Sequence, residues 1–434
     1  MDGPVVALLG VLALLALLVI RVPVGLAMLA VGVAGIALIR PGATLPVVAG
    51  EIFAVASKYS LTIIPLFMLM GGLAVASGMS RDLYQAAHAW LGGVRGSLAS
   101  ASIVACAGFS ALSGSSLAAA LTMGRVSLPE MRRFRYDDAL ATGAIAAGGT
   151  LGILIPPSAG LVIYGILTEE SIGRLFIAGV MPGILLTLLF LLAVWIVVWR
   201  DPEKAPERAV PVSWRERWQA TRRAVWVAGI VVLTIGGIYA GVFSAIEAAG
   251  VGALLALIAA LARRALTSEA VREVVGVTLQ ASGTAFLILF GAFTFKVFLG
   301  FTEIAFLASQ WVASQGLSGT HVVIIVLAMF VVLGTFLDGF AMLVLTVPLV
   351  QPVLESLGVD MVWFGVLIVI TLEMGLISPP VGLNIFVVKG VAPDVPVHTM
   401  YRGIAPFWLA MLFALILLVA IPALATFLPD GMYG

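Results

Sequence analysis

The segment Gly152-Ile-Leu-Ile-Pro-Pro-Ser158 recurs as Gly375-Leu-Ile-Ser-Pro-Pro-Val381, and the two Pro-Pro pairs lie 223 residues apart. Each pair interrupts an apolar stretch, where every proline removes a backbone donor at a cost of about 3 kcal/mol or more. The residue before a proline is also kept out of the helical conformation. In lipid, broken backbone persists only inside protein or beside a wet cavity. A single proline would fit a simple kink, whereas two matched pairs, each preceded by a glycine, predict two unwound points at mid-membrane.

The composition indicates a membrane protein. Of 434 residues, 62% are hydrophobic and 10% are charged, whereas about 25% of the residues of a soluble domain are charged. One spanning helix needs about 20 apolar residues, so the apolar stretches leave room for roughly ten spans. The net charge of +1 gives no indication of nucleic-acid binding, and the single cysteine, Cys106, excludes an intrachain disulfide. We predict an all-α polytopic protein in a lipid bilayer, with Val5–Ile20 as its first span.

The offset of 223 residues relates two similar halves of the chain. When it is applied, apolar spans at about 5–20 and 22–39 coincide with spans at about 227–243 and 246–263. In each half, we predict that one irregular apolar stretch is a re-entrant hairpin and that the other is a broken span.

The predicted organisation is therefore a pair of repeats with a polar connector between them. The predicted domains are a first repeat (1–199), an amphipathic cytoplasmic connector (200–222) and a second repeat (223–434). The predicted hairpins are residues 96–124 and 320–354, and the predicted broken spans are residues 137–168 and 361–389.

The basic residues indicate the order of hairpin and broken span. If the hairpin comes first in each repeat, 19 of the 23 Lys and Arg residues fall on one side of the membrane. The exceptions are Arg40, Lys58, Arg174 and Lys296. The reverse order moves the arginines of the Arg125–Arg135 cluster to the other side. Because basic residues concentrate on the cytoplasmic side, we predict the first order, with five spans and a re-entrant hairpin in each repeat. Since five is an odd number, the two repeats are inverted. We therefore expect a multi-pass protein of the bacterial inner membrane, with both termini in the periplasm.

In this arrangement a hairpin tip lies opposite each break. The tips are Gly108-Phe-Ser-Ala-Leu-Ser-Gly-Ser-Ser116 and Gly334-Thr-Phe-Leu-Asp-Gly339. Unwound carbonyls and serine hydroxyls are hard oxygen ligands for an alkali cation, and the N-terminal ends of half-helices direct donors at an anion. A serine hydroxyl can equally bond a carbonyl of its own helix. Four serines at one tip nevertheless favour a binding role.

The ionisable residues add few candidates. No arginine lies in the middle of a predicted span, so a central anion would be held by helix N-termini, hydroxyls and co-bound cations. Lys58 and Lys296 lie near span ends, where snorkelling is their ordinary role. Asp338, at the second tip, is either a functional intramembrane acid or a helix cap. Glu373 precedes the second break and is expected to face the bundle interior.

These motifs resemble those of the large membrane subunit of tripartite ATP-independent periplasmic (TRAP) transporters. The similarity extends over nearly the whole chain and rests on Leu112-Ser-Gly-Ser-Ser116, Met131-Arg-Arg-Phe-Arg-Tyr136, Gly149-Thr-Leu-Gly-Ile-Leu-Ile-Pro-Pro-Ser158, Phe336-Leu-Asp338 and Glu373-Met-Gly-Leu-Ile-Ser-Pro-Pro-Val-Gly-Leu-Asn384. The family's Thr-Pro-Thr-Glu motif is present only as Ser244-Ala-Ile-Glu247, without the proline. We therefore interpret Glu247 as an interfacial loop acid.

The resemblance implies sodium-coupled uptake of a small organic anion by an elevator mechanism. The hairpins and broken spans would form a mobile transport domain, and the other spans would form a scaffold. The resemblance also implies sodium ligands at Ser110, Ser113, Gly152, Ile155 and Pro157 for one ion and at Gly334, Gly375, Ser378 and Val381 for a second. The candidate substrate residues are Ser116, Thr335, Asp338 and Asn384.

The resemblance further implies two protein partners. A periplasmic substrate-binding protein would deliver the substrate, and a separate small four-helix membrane subunit would extend the scaffold. We expect lipid-facing small residues such as those in Gly32–Gly35 to contact this subunit. The family carries C4-dicarboxylates, sialic acids, keto acids and sugar acids.

Three other functions compete with this interpretation. A free-standing sodium–dicarboxylate symporter would need no binding protein, but the Ser-Asn-Thr tip motifs of such symporters are absent. An intramembrane protease would need a nucleophile and a base at membrane depth, and Ser113 has no histidine or lysine at comparable depth. A channel would not need two cation sites behind paired gates. We therefore predict a transporter and not an enzyme.

Overall fold

The computed structural model describes residues 3–206 and 212–433, and this part of the chain consists of α-helices joined by short turns. The helices are α1 (Gly3–Val19), α2 (Val24–Ile39), α3 (Thr44–Ala56), α4 (Ile63–Ala76), α5 (Met79–Leu91), α6 (Ser97–Ser113), α7 (Ser116–Arg133), α8 (Asp138–Leu154), α9 (Ala159–Thr168), α10 (Ile172–Arg200), α11 (Trp214–Tyr239), α12 (Ala245–Ala262), α13 (Ser268–Thr302), α14 (Ile304–Ser314), α15 (Gly319–Gly334), α16 (Gly339–Ser356), α17 (Met361–Leu376), α18 (Leu383–Val391), α19 (Val397–Ala420) and α20 (Ala423–Tyr433).

Glycine and serine form the turn between α6 and α7. α6 ends at Gly114, whose φ of +59° is tolerated because glycine has no Cβ. α7 begins at once, because the Ser115 hydroxyl accepts a hydrogen bond from the backbone N–H of Ala118 at 3.4 Å. The two helices pack against each other. Since α7 continues to Arg133 with Pro129 inside it, this helix pair is longer than the predicted hairpin.

Helices α15 and α16 form a second such pair. They are joined by the turn at residues 335–338, and α16 begins where Asp338 Oδ1 accepts hydrogen bonds from two backbone N–H groups, those of Phe340 at 2.9 Å and Ala341 at 3.4 Å. Pro348 and Pro352 lie inside α16 without ending it. An N-terminal cap therefore defines the tip of this pair as well.

Both Pro-Pro pairs interrupt a helix, as the sequence predicts. α8 ends at Leu154, and α9 begins after Ser158, whose hydroxyl accepts a hydrogen bond from the backbone N–H of Leu161 at 3.1 Å. α17 ends at Leu376, and α18 begins after Gly382, which has φ +58°. The peptide bond within each Pro-Pro pair is cis.

The polar segment between the two halves differs from the prediction. Residues 207–211 of the predicted connector lie outside the described residues. Residues 214–222 of the predicted connector form the first turns of α11, so this part of it is continuous with an apolar helix. A capping box starts this helix, because the Glu216 N–H donates to the Ser213 hydroxyl and the Ser213 N–H donates to the Glu216 carboxylate. No proline follows in α11, so the helix continues into the apolar stretch.

A second capping box starts α12 and corrects the interpretation of Glu247. The Glu247 N–H donates to the Ser244 hydroxyl at 3.3 Å, and the Ser244 N–H donates to the Glu247 carboxylate at 2.8 Å. Glu247 therefore lies in the first turn of a helix, where it satisfies an N-terminal backbone donor. It is a helix-capping residue and not a loop acid.

Small residues pack α2 against α13 inside the protein. A Cβ atom built on Gly32 would lie 3.1 Å from the backbone nitrogen of Phe295, and one built on Gly35 would overlap the ring of Phe298. Both glycines are buried. They allow two helices to approach closely, so the prediction that this segment is a lipid-facing surface for a partner subunit is wrong.

Eight segments of the described chain are long and apolar enough to cross a membrane. They are α4 with its preceding turn, α8 together with α9, α10, α11, α12, α13, α16 and α19. Helices α1 and α2 are apolar but shorter, with 17 and 16 residues. The α8–α9 segment is the most buried of the eight, so the first Pro-Pro break lies inside protein.

Candidate functional site

The tip between α6 and α7 lies directly against the break between α8 and α9. A Cβ atom built on Gly152 would lie 2.6 Å from the carbonyl carbon of Ser115. The backbone N–H of Ala159 donates to the Gly114 carbonyl at 3.2 Å, and a Cβ atom on Gly114 would lie 2.8 Å from the Pro157 carbonyl oxygen. Backbone groups of the tip and the break are therefore adjacent, as a sodium site built from unwound backbone requires.

The serine hydroxyls of this tip differ in their partners. The Ser113 hydroxyl is buried and has no hydrogen-bond partner within residues 3–206 and 212–433. The Ser110 hydroxyl donates to the Cys106 carbonyl at 2.6 Å, which is the ordinary bond of a helical serine and leaves its lone pairs available. Ile155 contacts Gly183 through its side chain, which leaves its carbonyl as the group available for a cation. Because an unsatisfied buried hydroxyl is costly, Ser113 is the group here that most needs a ligand.

The second break makes the same kind of contact with the end of α15. A Cβ atom built on Gly375 would lie 2.6 Å from the Cα of Gly334, so the two backbones touch. The Ser378 hydroxyl donates to the Met374 carbonyl at 2.5 Å and accepts from the Trp408 indole N–H at 2.9 Å. Since a hydroxyl oxygen has two acceptor lone pairs, Ser378 retains one for a cation.

The second break is more open than the first. Pro379 and Pro380 are exposed, whereas Pro156 and Pro157 are buried. The Tyr401 hydroxyl donates to the carbonyls of Pro380 and Val381, at 2.9 Å and 3.2 Å. The Val381 carbonyl is thus already a hydrogen-bond acceptor, with one lone pair left for an ion.

A hydrogen bond joins the first tip to the second broken helix. The Ser116 hydroxyl donates to Glu373 Oε1 at 2.5 Å, across 257 positions of sequence. Both side chains are buried, and Glu373 Oε2 has no partner in the described chain. The Asn384 side chain on α18 is also buried, and within the same described ranges neither its oxygen nor its nitrogen is bonded. Since buried polar atoms are normally paired, these groups indicate a place for a polar ligand.

Thr335 and Asp338 form hydrogen bonds within their own helix pair. The Thr335 hydroxyl donates to the Val332 carbonyl at 2.8 Å, and the Asp338 carboxylate accepts the first N–H groups of α16. Phe336, between them, is 65% exposed. Of the two interpretations of Asp338, the structure shows the helix cap.

Sequence reasoning missed one pairing and two residues at these sites. It placed Glu373 in the interior but did not identify Ser116 as its partner, because no local pattern pairs residues so far apart. Tyr401 and Trp408 bond the second break from α19. Their only sequence signal is an i, i+7 spacing, which puts them on one face of that helix.

Comparisons with known proteins identify relatives over almost the whole chain. Residues 11–424 match the family described as "Tripartite ATP-independent periplasmic transporter, DctM component". The C4-dicarboxylate TRAP transporter large permease protein DctM of Pseudomonas aeruginosa is 36% identical over 386 residues, which are 88% of this chain and 89% of that protein. The sialic acid protein SiaM of Vibrio cholerae is 31% identical, over 87% of this chain and 88% of its own length. The ectoine protein TeaC of Halomonas elongata is also 31% identical, over 86% of each chain.

Two solved transporter structures share the fold. The antimetabolite efflux pump MtrF of Neisseria gonorrhoeae has a TM-score of 0.56 at 15% identity, covering 87% of this chain and 83% of its own. The YdaH transporter of Alcanivorax borkumensis has a TM-score of 0.52 at 16% identity, covering 87% of both chains. At such low identity the likeness concerns the fold alone.

Proposed function

Because this chain belongs to the family of the DctM component of TRAP transporters and is a large permease subunit, we propose that it imports a small organic anion together with sodium ions. The anion is a C4-dicarboxylate, a sialic acid or a related carboxylate. The observation that supports this most directly is the backbone contact of each helix-pair tip with a Pro-Pro break, Gly114 and Ser115 at one and Gly334 at the other.

Hard oxygen ligands support the sodium part of the proposal. Unwound carbonyls and hydroxyls suit an alkali cation, and Ser113 offers a buried hydroxyl without a partner in the described chain. Ser378 keeps a free lone pair beside the contact of Gly334 with Gly375. We assign one ion to Ser110 and Ser113 with the carbonyls of Gly152, Ile155 and Pro157, and the other to Gly334, Gly375, Ser378 and Val381.

Helix N-termini and buried polar side chains support the anion part of the proposal. Helices α7, α9 and α18 begin at the tips and breaks, and the first N–H groups of a helix bear partial positive charge. Ser116 and Asn384 lie in the first turns of α7 and α18, so we propose that they contact the substrate. Asp338 would act on the substrate through the placement of α16, whose start it caps. Thr335 would act through the end of α15, where its hydroxyl bonds the Val332 carbonyl.

We further propose that α6–α9 and α15–α18 move together as one transport domain. The Ser116–Glu373 hydrogen bond already links the two halves. A second link is Arg132, which bonds Asp394 at 2.6 Å and Asp138 at 3.3 Å. The hydrogen bond from Arg132 holds the pKa of the Asp394 carboxyl below its usual range, so this link keeps both charges at neutral pH. A body that slides as a unit needs such cross-links.

Reconstitution tests the proposed function. In liposomes with an inward sodium gradient, the chain should take up a labelled acid only with its small membrane subunit and the loaded periplasmic binding protein. The physical reason is that one copy of the chain offers few scaffold helices against which a mobile domain can slide. Uptake is measured for each candidate acid, with and without dissipation of the sodium gradient.

Each outcome of this experiment is decisive. Sodium-driven uptake by the chain alone would contradict the three-part assembly and indicate a free-standing symporter. Equal uptake with potassium in place of sodium would contradict sodium coupling. Free acid that replaces the loaded binding protein would contradict delivery by that protein.

A further inference from the structure

A cavity of about 510 Å³ lies between α5, α11 and α12. The residues that line it are different from the proposed sodium and substrate residues. It is lined by Asp82, Gln219, Arg222, Arg223, Trp226 and Arg263. None of these residues takes part in the proposed transport chemistry, so the cavity needs an explanation of its own.

The cavity has an excess of positive charge. Arg263 forms an ion pair with Asp82 and donates to the Arg223 carbonyl at 3.1 Å, so its charge is compensated and its position is held. Among the described residues, the Arg223 guanidinium bonds only the neutral amide oxygen of Gln85, at 3.4 Å. Arg222 is exposed and forms no ion pair or hydrogen bond within residues 3–206 and 212–433. Two guanidinium charges in this cavity therefore lack an anion.

One face of α11 changes from polar to apolar as it leaves the cavity. Helical spacing of i, i+3, i+4 and i+7 places on this face Gln219, Arg222, Arg223 and Trp226. Further along the same face, a Cβ atom built on Gly229 would meet nothing within 4 Å, and Leu233 is 50% exposed. On the neighbouring helix α12, Ile258 and Leu261 are exposed. The basic cavity thus continues into an open apolar track.

Exposed tryptophans lie on α5 and α11, two of the helices that border the cavity, and one of them, Trp226, lines it. They are Trp90, Trp214, Trp218 and Trp226. The rings of Trp90 and Trp214 meet edge to face at 5.7 Å, and the Arg217 guanidinium lies 6.0 Å from the centre of the Trp90 ring. Tryptophan is enriched at the headgroup level of membranes. The cavity therefore lies at the headgroup level, where most phosphate groups belong to lipids and not to soluble anions.

We propose that this cavity binds the phosphate headgroup of an anionic phospholipid, with an acyl chain along the apolar face of α11. A guanidinium group can donate two parallel hydrogen bonds to phosphate oxygens, and Arg222 and Arg223 are free to do so. Basic pockets between helices on the cytoplasmic side of a membrane are known to take such headgroups. The lipid would touch α5, α11 and α12 together and hold these helices at the interface.

Native mass spectrometry of the purified full-length chain tests the proposal. The chain is titrated with phosphatidylglycerol, with phosphatidylethanolamine of the same acyl chains, and with inorganic phosphate. Replacing two interfacial arginines, Arg222→Gln with Arg223→Gln, should weaken phosphatidylglycerol binding about 30-fold. The matched control, Arg215→Gln with Arg272→Gln, removes the same charge from exposed positions outside the cavity and should bind like the unmodified chain.

The outcomes separate a lipid site from its alternatives. Equal affinity for phosphatidylethanolamine would overturn the proposal, because that headgroup has no net charge. Displacement of the lipid by inorganic phosphate would indicate a free-phosphate site and would also overturn it. An equal loss in the control variant would show that only overall charge matters. If the double variant does not fold, Arg222→Gln alone, which loses no internal contact, should weaken binding about fivefold.

Discussion

The serine hydroxyls at the two Pro-Pro breaks differ in what they already bond. Ser113 has no partner in the described chain, whereas Ser378 bonds both Met374 and Trp408. A sodium ion would be the first partner of the Ser113 hydroxyl. At Ser378 it would bind a hydroxyl that already has two hydrogen-bond partners. Removal of each hydroxyl should therefore have different consequences for transport and for stability.

Substitution of these serines distinguishes the two sites. In Ser113→Ala, half-maximal uptake should need more sodium, while the unfolding temperature stays unchanged because no protein hydrogen bond is lost. In Ser378→Ala, uptake should also need more sodium, and the lost internal bonds should lower the free energy of unfolding by about 1 kcal/mol. Uptake against sodium concentration and thermal unfolding measure the two effects. Unaltered sodium dependence of Ser113→Ala would count against the first ion site.

The hydrogen bond between Ser116 and Glu373 predicts energetic coupling between the two halves. Glu373→Ala leaves a buried hydroxyl without its acceptor and should cost about 1–3 kcal/mol of unfolding free energy. In the double variant with Ser116→Ala, the two effects should fail to add by at least about 0.5 kcal/mol. The control is Ser127→Ala, whose hydroxyl bonds Met123 in its own helix and whose effect should add to that of Glu373→Ala. Additive effects in both pairs would show that the bond does not form.

Between elements, the decisive contacts are made by backbone and not by side chains. Gly152 on α8 touches the first tip, and Gly375 on α17 touches the end of α15. A side chain at either position would push a helix pair away from its break. The geometry of both proposed ion sites depends on these two approaches.

Valine at either glycine should abolish sodium-dependent uptake while the chain still reaches the membrane. The added side chain would have to displace backbone atoms that lie 2.6 Å from its Cβ, and backbone cannot move aside as a flexible side chain can. The matched control is Gly300→Val on α13, where a Cβ would meet nothing within 4 Å. Uptake and surface expression are measured for all three variants. Normal uptake by Gly152→Val or Gly375→Val would contradict the close approach.

Across the whole molecule, the charge pattern predicts two groups of basic residues on opposite sides of the membrane. Lys58 and Lys296 both lie over the ring of Phe293, at 4.6 Å and 5.9 Å from its centre. These belong to the minority predicted to be periplasmic. In the majority group, the Asp137 N–H donates to the Lys204 carbonyl at 2.9 Å, which places the end of α7 beside the connector. The orientation that the positive-inside rule assigns to these two groups stays a prediction.

Cysteine accessibility tests the orientation. In a Cys106→Ala background, single cysteines in the loops near Pro41 and Ser318 should react with an impermeant reagent added to intact cells. Cysteines in place of Arg132 or Lys204 should react only after the cells are opened, as should one at position 264. Cys106 is fully buried, so its removal does not expose another site. Labelling of position 132 from outside would reverse the predicted order of hairpin and broken span.

The helix breaks and the close approaches of backbone follow from the identity of single residues. A Pro-Pro pair removes hydrogen-bond donors whatever surrounds it, so the interruptions after Leu154 and Leu376 could be read from the chain alone. Gly152 and Gly375 could be selected for the same reason, because a missing Cβ is a property of the residue itself. The motifs around these breaks were also long enough to indicate the family.

By contrast, the pairing of buried groups and the covering of helix faces depend on how the helices pack in three dimensions. Ser116 and Glu373 pair across 257 positions, and such pairing depends on packing that no local pattern records. The burial of Gly32 and Gly35 could not be predicted, because lipid is as apolar as a protein interior and both faces of a spanning helix therefore look alike in sequence. The sequence is compatible with Asp338 as a functional acid or as a helix cap. The N–H groups of Phe340 and Ala341, which donate to its carboxylate, show the cap. In a membrane, hydropathy identifies the spans, but tertiary packing determines which backbone and side-chain groups form the site.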